Sequence, residues 1–251
     1  MNKITIENLS LKYSDGTESL RDINLKIPYQ QISVIFGPAG GGKSSLLRTL
    51  NRLNDLADVV VREGTVKIDD QDIYQPGFDV IALRRKVGMV FARPVVLPLS
   101  IRENLTYGLE VAGVKDPAQL EGAVKTSLKK AALWEEVKDR LEDPGVALSG
   151  GQQQRLCLAR VLALEPEVIL LDEPTSGLDP ISTGKVEESL QELKKEYTII
   201  LVPHSVQQAA RTADQAAFLL QGELIEVASG EAMFTNPQQQ RTQDYIQGRF
   251  G

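Results

Sequence analysis

The sequence predicts an α/β protein: a parallel sheet covered by helices, with an N-terminal antiparallel β portion and an inserted helical segment. Three observations support this class. Short continuous apolar runs alternate with stretches of helical periodicity toward both ends of the chain. The first 30 residues alternate between polar and apolar side chains, as half-buried antiparallel strands do. Residues 101–143 lack strand patterns altogether.

Composition and charge restrict the class of function. The chain has 251 residues, of which 42% are hydrophobic, enough for one large domain or two small ones with a buried core. A formal net charge of −6 argues against a surface that binds nucleic acid. No apolar run reaches the roughly 18 residues of a membrane span, and the first residues lack the apolar region of a signal peptide. Any membrane role is therefore expected to require partner proteins.

The antiparallel portion is predicted from two alternating segments near the N-terminus. The first carries Ile4 and Ile6 and has the alternation of an edge strand, and the second covers residues 23–27. Residues 13–19 (YSDGTES) are the expected connection between them. Residues 64–73 indicate a further strand and turn.

The parallel sheet begins with residues 32–36 (ISVIF), a short apolar run typical of a buried strand. A glycine-rich loop follows. The next helix is expected to present one apolar face, formed by Leu46, Leu47, Leu50 and Leu53.

The second half of the chain contains a helical stretch and then renewed alternation of strands and helices. In the helical stretch, Leu120, Val124 and Leu128 lie at helical spacing. Residues 167–174 and 198–202 are predicted strands on either side of a helix carrying Val186, Leu190 and Leu193. Residues 216–227 predict a hairpin about Gln221-Gly222. Such strand–helix–strand units imply a parallel sheet covered on both faces.

The loop after residues 32–36 has the pattern of a phosphate-binding loop. GPAGGGKSS satisfies G-x-x-x-x-G-K-[ST] between a strand and a helix, the context that this motif requires. Backbone N–H groups of the glycines can converge on phosphate oxygens, Lys43 can reach the β- and γ-phosphates, and Ser44 can ligate Mg²⁺. A merely tight turn would not need Lys-Ser after the last glycine. The motif predicts a P-loop NTPase (RecA-like) core with these nucleotide-binding residues: Gly37, Pro38, Ala39, Gly40, Gly41, Gly42, Lys43, Ser44 and Ser45.

Two acidic residues follow the apolar run at 168–171. In a parallel sheet, Asp172 would lie at the same edge as the phosphate loop and hold Mg²⁺ through water. Glu173 would polarise the water that attacks the γ-phosphate. An acidic pair at a strand end is usually a solvated turn, but the phosphate loop favours the catalytic interpretation.

Residues 148–155 (LSGGQQQR) predict a second anion-binding helix start. Ser149 can cap a helix that carries Leu158, Val161 and Leu162 on one side. A well-capped helix is the structural explanation, and a phosphate-binding helix terminus is the functional one. One nucleotide does not need two such elements from one chain. Two facing chains would place this element against the phosphate loop of the other copy.

Cysteine and histidine each occur once in the chain. Cys157 cannot form an internal disulfide, which suits a reducing cytosol. His204 follows the β-branched run at 198–202 and a proline, where a buried strand ends and a loop begins. The residues alone leave open whether His204 has a packing or a chemical role.

These motifs together resemble the ATP-binding cassette (ABC) ATPases, and the resemblance covers essentially the whole chain. Residues 148–152 match the signature L-S-G-G-Q without a change, which implies partner-chain ATP contacts for Ser149, Gly150, Gly151 and Gln152. Residues 172–179 (DEPTSGLD) resemble the acidic motif and D-loop, with Asp179 facing the partner site. The resemblance implies that Lys43, Glu173 and His204 are catalytic, His204 through the γ-phosphate. It also implies ATP and Mg²⁺ as ligands.

Tyr13 and Ala92 stand at two further family positions. Tyr13 precedes the phosphate loop as the adenine-stacking aromatic of the family does; without the resemblance it would be a strand-edge aromatic. The family expects F-Q-x-P after the strand at 87–91, but here the residues are FARP, so Ala92 replaces the glutamine. Residues 95–100 (VVLPLS) also lack the N-P-F-P motif that is usual in the family.

Several stretches are similar to the ATPase subunit of bacterial phosphate importers, the Pst system. They are residues 47–56, 87–91, 164–183, 207–214 and 234–251. None of these residues would contact transported phosphate, so the resemblance alone indicates the cargo. Another oxyanion or a polar amino acid is the nearest alternative. A soluble cassette ATPase acting on DNA or ribosomes, and a non-hydrolysing nucleotide sensor, are alternatives of other classes.

The resemblance implies a single ABC ATPase domain over residues 1–251. Its nucleotide-binding core would comprise 1–92 and 164–251, and a helical subdomain at 93–163 would carry the signature. We expect a head-to-tail, ATP-dependent homodimer that works with two integral-membrane permease subunits and, indirectly, an extracytoplasmic phosphate-binding protein. The expected location is cytoplasmic, peripheral on the inner face of the cell membrane.

Overall fold

The computed structural model describes residues 1–249; the last two residues of the stretch 234–251 compared above lie outside the described residues. The described residues form two sheets. The strands are β1 (Asn2–Tyr13), β2 (Glu18–Pro28), β3 (Ile32–Phe36), β4 (Val59–Ile68), β5 (Gln71–Asp72), β6 (Val87–Val90), β7 (Val168–Asp172), β8 (Thr198–Val202), β9 (Gln215–Leu220) and β10 (Glu223–Ser229).

The antiparallel portion is a four-stranded sheet in the order β2-β1-β4-β5. Ile4 pairs with Ile27 on one side and with Ile68 on the other. The expectation that the first segment is an edge strand is therefore wrong, because β1 lies in the interior of the sheet. Alternation reports one buried and one open face, which a central antiparallel strand shares with an edge strand.

The second sheet has six strands in the order β10-β9-β3-β8-β7-β6. Its strands run parallel except β10, which returns from β9 through the hairpin at Gln221-Gly222. Every residue of β3, β7 and β8 is buried. Because these three strands are parallel, their carboxyl ends share one edge, the usual position of ligand sites in such sheets.

Ten helices surround the sheets among the described residues. They are α1 (Lys43–Leu50), α2 (Val80–Lys86), α3 (Ile101–Val111), α4 (Pro117–Lys130), α5 (Trp134–Val137), α6 (Gly150–Ala163), α7 (Pro180–Leu193), α8 (Val206–Thr212), α9 (Gly230–Thr235) and α10 (Gln240–Ile246). The prediction that Leu53 lies on the apolar face of α1 is wrong. The helix ends at Leu50, and Arg52 adopts a positive φ of 58° that turns the chain into a separate 3₁₀ segment.

Helices α3 to α6 follow β6 in the chain and share a hydrophobic core with the main sheet. The buried cluster runs from Leu105 and Leu128 in the helices to Ile169 and Leu201 in the strands. A second cluster lies between the two sheets and around α1. The sheet edge is thus supported from both faces, and the division of the chain at residues 93 and 163 stays a prediction.

Candidate nucleotide site

The phosphate loop begins directly after β3 and packs against the β9–β10 hairpin. A side chain at Gly37 would place its Cβ 1.9 Å from the Leu219 carbonyl oxygen, so only glycine fits there. Gly42 is the N-cap residue of α1 and has a φ of 97°, and a Cβ at that position would lie 2.3 Å from the Ser19 carbonyl oxygen. These close approaches explain the glycines and fix the loop at the start of α1, where helix N–H groups are free to bind anions.

The Lys43 ammonium lies inside the curve of this loop. Its Nζ donates to the carbonyl oxygens of Gly37 (3.0 Å) and Pro38 (2.8 Å). Burial lowers the pKa of Lys43, while the charges of Glu173 and Asp172 oppose that shift. A cation held by carbonyl groups of the loop is suited to neutralise phosphate oxygens in the same place.

Ser44 and Asp172 meet at the carboxyl edge of the sheet. The Ser44 Oγ donates to Asp172 Oδ1 at 3.1 Å, and Asp172, the last residue of β7, is buried. A hydroxyl and a carboxylate are the hard oxygen ligands that Mg²⁺ prefers, and water commonly completes its shell. The donor set therefore fits the metal that the motif implies.

Glu173 turns out of β7 immediately after Asp172. Its φ of 46° is left-handed, and its N–H donates to the Val202 carbonyl oxygen at 2.9 Å. This anchor to β8 holds a non-glycine residue in a sparsely populated conformation, a feature that often accompanies functional sites. Its side chain contributes to the walls of both cavities described next.

Two adjoining cavities share the walls formed by Ala39, Lys43 and Glu173. The first, about 380 Å³, is also lined by Tyr13, Thr17, Ser19, Gly40, Gly41, Gly42, Ser44 and Ser45. The second, about 260 Å³, is also lined by Phe36, Gly37, Pro203, His204, Ser205, Val206 and Tyr245. The structure thus brings the phosphate loop, Glu173, His204 and Tyr13 around one continuous region.

Tyr13 lies at the end of β1, half-buried beside the phosphate loop. Its hydroxyl is 2.9 Å from Ser45 Oγ, which also accepts from Ser19 Oγ at 2.7 Å. Adenine stacking by Tyr13 stays a prediction.

His204 is exposed and follows the end of β8, so its imidazole is not a core side chain. Its backbone N–H donates to Gln208 Oε1 at 2.9 Å. The buried Gln208 also accepts from Thr175 Oγ1 (3.1 Å) and donates to Glu187 (3.2 Å). Sequence reasoning missed this supporting role of Gln208, because Thr175 and Glu187, the residues that hold its amide in place, lie 33 and 21 residues away.

The signature residues and Asp179 begin two other helices. Ser149 caps α6 in a reciprocal capping box with Gln152, and Asp179 caps α7 by accepting from the N–H groups of Ile181 and Ser182. Ser149, Gly150 and Asp179 are exposed. The structure does not bring the signature or Asp179 to the walls of either cavity.

Ala92 is half-buried in the bend that follows β6 and also lies outside both cavity walls. The carbonyl oxygen of the preceding Phe91 accepts from Gln154 Nε2 at 2.9 Å. Gln154 is buried on α6, two residues after Gln152. The segment at Ala92 is therefore tied to the signature helix through backbone, whatever side chain position 92 carries.

A parallel sheet that presents a glycine loop, a buried aspartate and a positioned glutamate at one carboxyl edge defines a P-loop nucleoside triphosphatase. The family of ABC transporters matches residues 20–176 of this chain. The chain therefore belongs to the ABC transporter family and is an ATP-binding subunit with the ATPase fold of that family.

Solved structures resemble 90% or more of the chain. CbiO1 from Clostridium perfringens, part of the ABC transporter complex cbiONQ, is 28% identical over 99% of this chain and 96% of its own, with a TM-score of 0.81. The ATP-binding cassette MJ0796, solved as a post-hydrolysis dimer with ADP and Pi, is 29% identical over 90% and 98%, with a TM-score of 0.77. A bacterial Atm1-family exporter with ATP bound is 25% identical over 99% of this chain and 42% of its own, with a TM-score of 0.81. Within residues 1–249, none of the helices has the length and apolar character that crossing a membrane would take.

Proposed function

We propose that this chain is the ATP-hydrolysing subunit of an importer for inorganic phosphate, working as a head-to-tail homodimer on two membrane permeases. The observation that carries the dimer is the separation of the two phosphate-binding elements. The phosphate loop lines the cavities, whereas the capped, exposed N-terminus of α6 does not. A second copy facing the first would complete each site with its own Ser149, Gly150, Gly151 and Gln152.

In this proposal Glu173 is the general base for ATP hydrolysis. It accepts a proton from the attacking water as the water oxygen bonds to the γ-phosphorus and the bond to the bridging oxygen breaks. Lys43 stabilises the charge on the transferred group, and His204 contacts its oxygens from the second cavity. Ser44 and, through water, Asp172 would hold Mg²⁺, which supplies further charge neutralisation when bound.

Attachment to permeases is supported by apolar side chains in the helical segment. Five large apolar residues are exposed between β6 and α6: Phe91, Val95, Tyr107, Val111 and Val146. Exposed apolar side chains that form a contiguous patch are typical of a protein interface. We propose that the permeases dock there, which would place this chain on the inner face of the cell membrane.

Phosphate as the cargo is supported by the similarity of residues 47–56, 87–91, 164–183 and 207–214 to the Pst ATPase subunit. CbiO1 and the Atm1-family exporter belong to transporters of other kinds. The cargo is therefore tested directly. The complex with permeases encoded beside this chain, reconstituted in vesicles, is expected to take up radiolabelled phosphate in competition with arsenate. Uptake of another oxyanion or an amino acid, with no phosphate uptake, would refute the proposed cargo.

Dimer formation and the role of Glu173 are tested together. Glu173→Gln keeps the size of the side chain but removes the base, so it is expected to bind Mg-ATP, lose turnover and sediment as an ATP-bound dimer. The specific activity of the wild-type chain is expected to rise with protein concentration. The control is Glu188→Gln, an exposed residue of α7, which should behave as wild type. Wild-type turnover by Glu173→Gln would contradict the assigned base.

A further inference from the structure

Glu136 lies on the short helix α5, yet donors from two other helices converge on its carboxylate. Arg155 of α6 binds it through two bonds, Nη1–Oε1 at 2.8 Å and Nη2–Oε2 at 2.9 Å. Lys185 of α7 donates from Nζ to Oε1 at 2.6 Å. Gln152, the last signature residue, donates from Nε2 to Oε2 at 3.0 Å. One carboxylate therefore joins the signature helix to the helix that follows the D-loop.

The bond from Gln152 orients the signature amide. With Nε2 directed at Glu136, the amide oxygen faces Ser149 and accepts its backbone N–H at 3.0 Å. The Ser149 Oγ in turn accepts from the Gln152 N–H at 3.4 Å. Glu136 thereby supports the reciprocal cap that sets the conformation of Ser149 at the helix start.

The two helix starts are also in direct contact. A Cβ at Gly151 would lie 2.5 Å from Ser182 Oγ, so the signature backbone lies close against α7. The same Ser182 hydroxyl donates to Asp179 Oδ2 at 2.6 Å. The signature and the cap of the D-loop helix therefore meet at Ser182. The ion cluster around Glu136 adds a second link between the same two helices, α6 and α7.

Burial makes the cluster costly to disturb. The Arg155 side chain is only 3% exposed, whereas those of Glu136 and Lys185 are 28% and 42% exposed. The hydrogen bonds from Arg155 first, and also those from Lys185 and Gln152, lower the pKa of Glu136 to about 2. The carboxylate is therefore charged across the physiological range, and removing it would leave a buried guanidinium without its counter-charge.

We propose that Glu136 is a positioning residue that holds the signature motif and the D-loop as one unit against the ATP bound by the partner copy. This inference rests on the proposed function, because only in a head-to-tail dimer do both elements face the same nucleotide. The phosphate loop of the same chain belongs to a separate cavity wall. Glu136 should thus matter for ATP-dependent dimerisation and not for nucleotide binding by the monomer.

The test uses the full chain carrying Glu173→Gln, with dimerisation followed by sedimentation as Mg-ATP is titrated. Adding Glu136→Gln is expected to raise the ATP concentration for half-dimerisation about tenfold, as expected for a lost charge-assisted hydrogen bond. Lys185→Met removes only the link to α7 and should raise it by about threefold, while Lys185→Arg should restore the parent value. The matched control is Glu135→Gln. Glu135 is the neighbour of Glu136 on α5, but its side chain is 74% exposed and forms an ion pair with Lys138.

The affinity of the monomer for Mg-ADP distinguishes a positioning role of Glu136 from a general effect on the structure. This affinity is expected to stay at the parent value in all these variants. Equal losses in Mg-ADP affinity and dimerisation would show a merely structural role and overturn the inference. Normal dimerisation by both Glu136→Gln and Lys185→Met would also overturn it. Failure of the Glu173→Gln parent to dimerise would refute the proposed homodimer itself.

Discussion

At the scale of single residues, the side chain of His204 is exposed, which favours a chemical role over a role in core packing. His204→Ala keeps the backbone N–H that binds Gln208, so the loop should retain its anchor. We expect a loss of hydrolysis corresponding to about 2–4 kcal/mol of barrier, with an unfolding free energy within about 0.5 kcal/mol of wild type. Steady-state kinetics and thermal unfolding check this, with the exposed neighbour Gln207→Ala as control. A large drop in melting temperature with normal turnover per folded molecule would indicate a packing role.

Position 92 is the sharpest departure from the family pattern. The resemblance implies that the amide oxygen of the usual glutamine approaches Mg²⁺ and the attacking water. Alanine offers no such oxygen, so with Mg²⁺ bound a water would take its place. We expect Ala92→Gln to raise Mg-dependent ATPase activity or its stimulation by permeases, with ATP affinity within about threefold of wild type. Arg93→Gln, an exposed neighbour, is the control. Unchanged turnover and unchanged stimulation would mean that another group already performs the role of the glutamine.

At the scale of elements, the phosphate loop depends on its contact with β9. Gly37→Ala would force a Cβ into the Leu219 carbonyl oxygen, so we expect more than about 2 kcal/mol of lost stability and a loss of ATP binding. Gly40→Ala is the matched control in the same loop, since its φ of 73° is strained but nothing lies within 4 Å of the added Cβ. Its expected cost is about 1–2 kcal/mol. Equal melting temperatures for the two variants would refute the contact argument.

At the scale of the whole molecule, the Glu136 cluster makes the free energy of unfolding depend on pH in the acidic range. The pKa of Glu136 is about 2 in the folded chain, below the ordinary value of 4.5, so folding favours the charged form. Its contribution is fully present above about pH 4.5 and is lost as pH falls through about 2. Glu136→Gln should therefore cost about 3 kcal/mol at pH 7, and the difference from wild type should narrow below pH 4.5. Urea unfolding at several pH values measures this, and a difference that is constant down to pH 2.5 would contradict it.

Local sequence patterns were enough to predict many elements of the fold. The predicted strands at 32–36 and 198–202 are confirmed without a change of bounds, and the helices predicted to carry Leu158 and Val186 are present as α6 and α7. The hairpin at Gln221-Gly222 is also confirmed, with positive φ at both residues. These features depend on neighbouring residues: a fully buried strand needs a continuous apolar run, and a helix start needs its cap within three residues.

By itself, the sequence determined the α/β class, because apolar runs alternate with helical periodicity along the chain. It also determined the phosphate loop and the acidic pair after β7, because each of these is a contiguous motif. Only the tertiary structure decided that β1 lies inside its sheet, that Gln208 is bound by the distant Thr175 and Glu187, and that Glu136 joins α6 to α7. The partners of Glu136 lie 16 to 49 residues away. Contacts of that kind depend on how helices pack on one another, and no short-range periodicity or spacing in the chain specifies them.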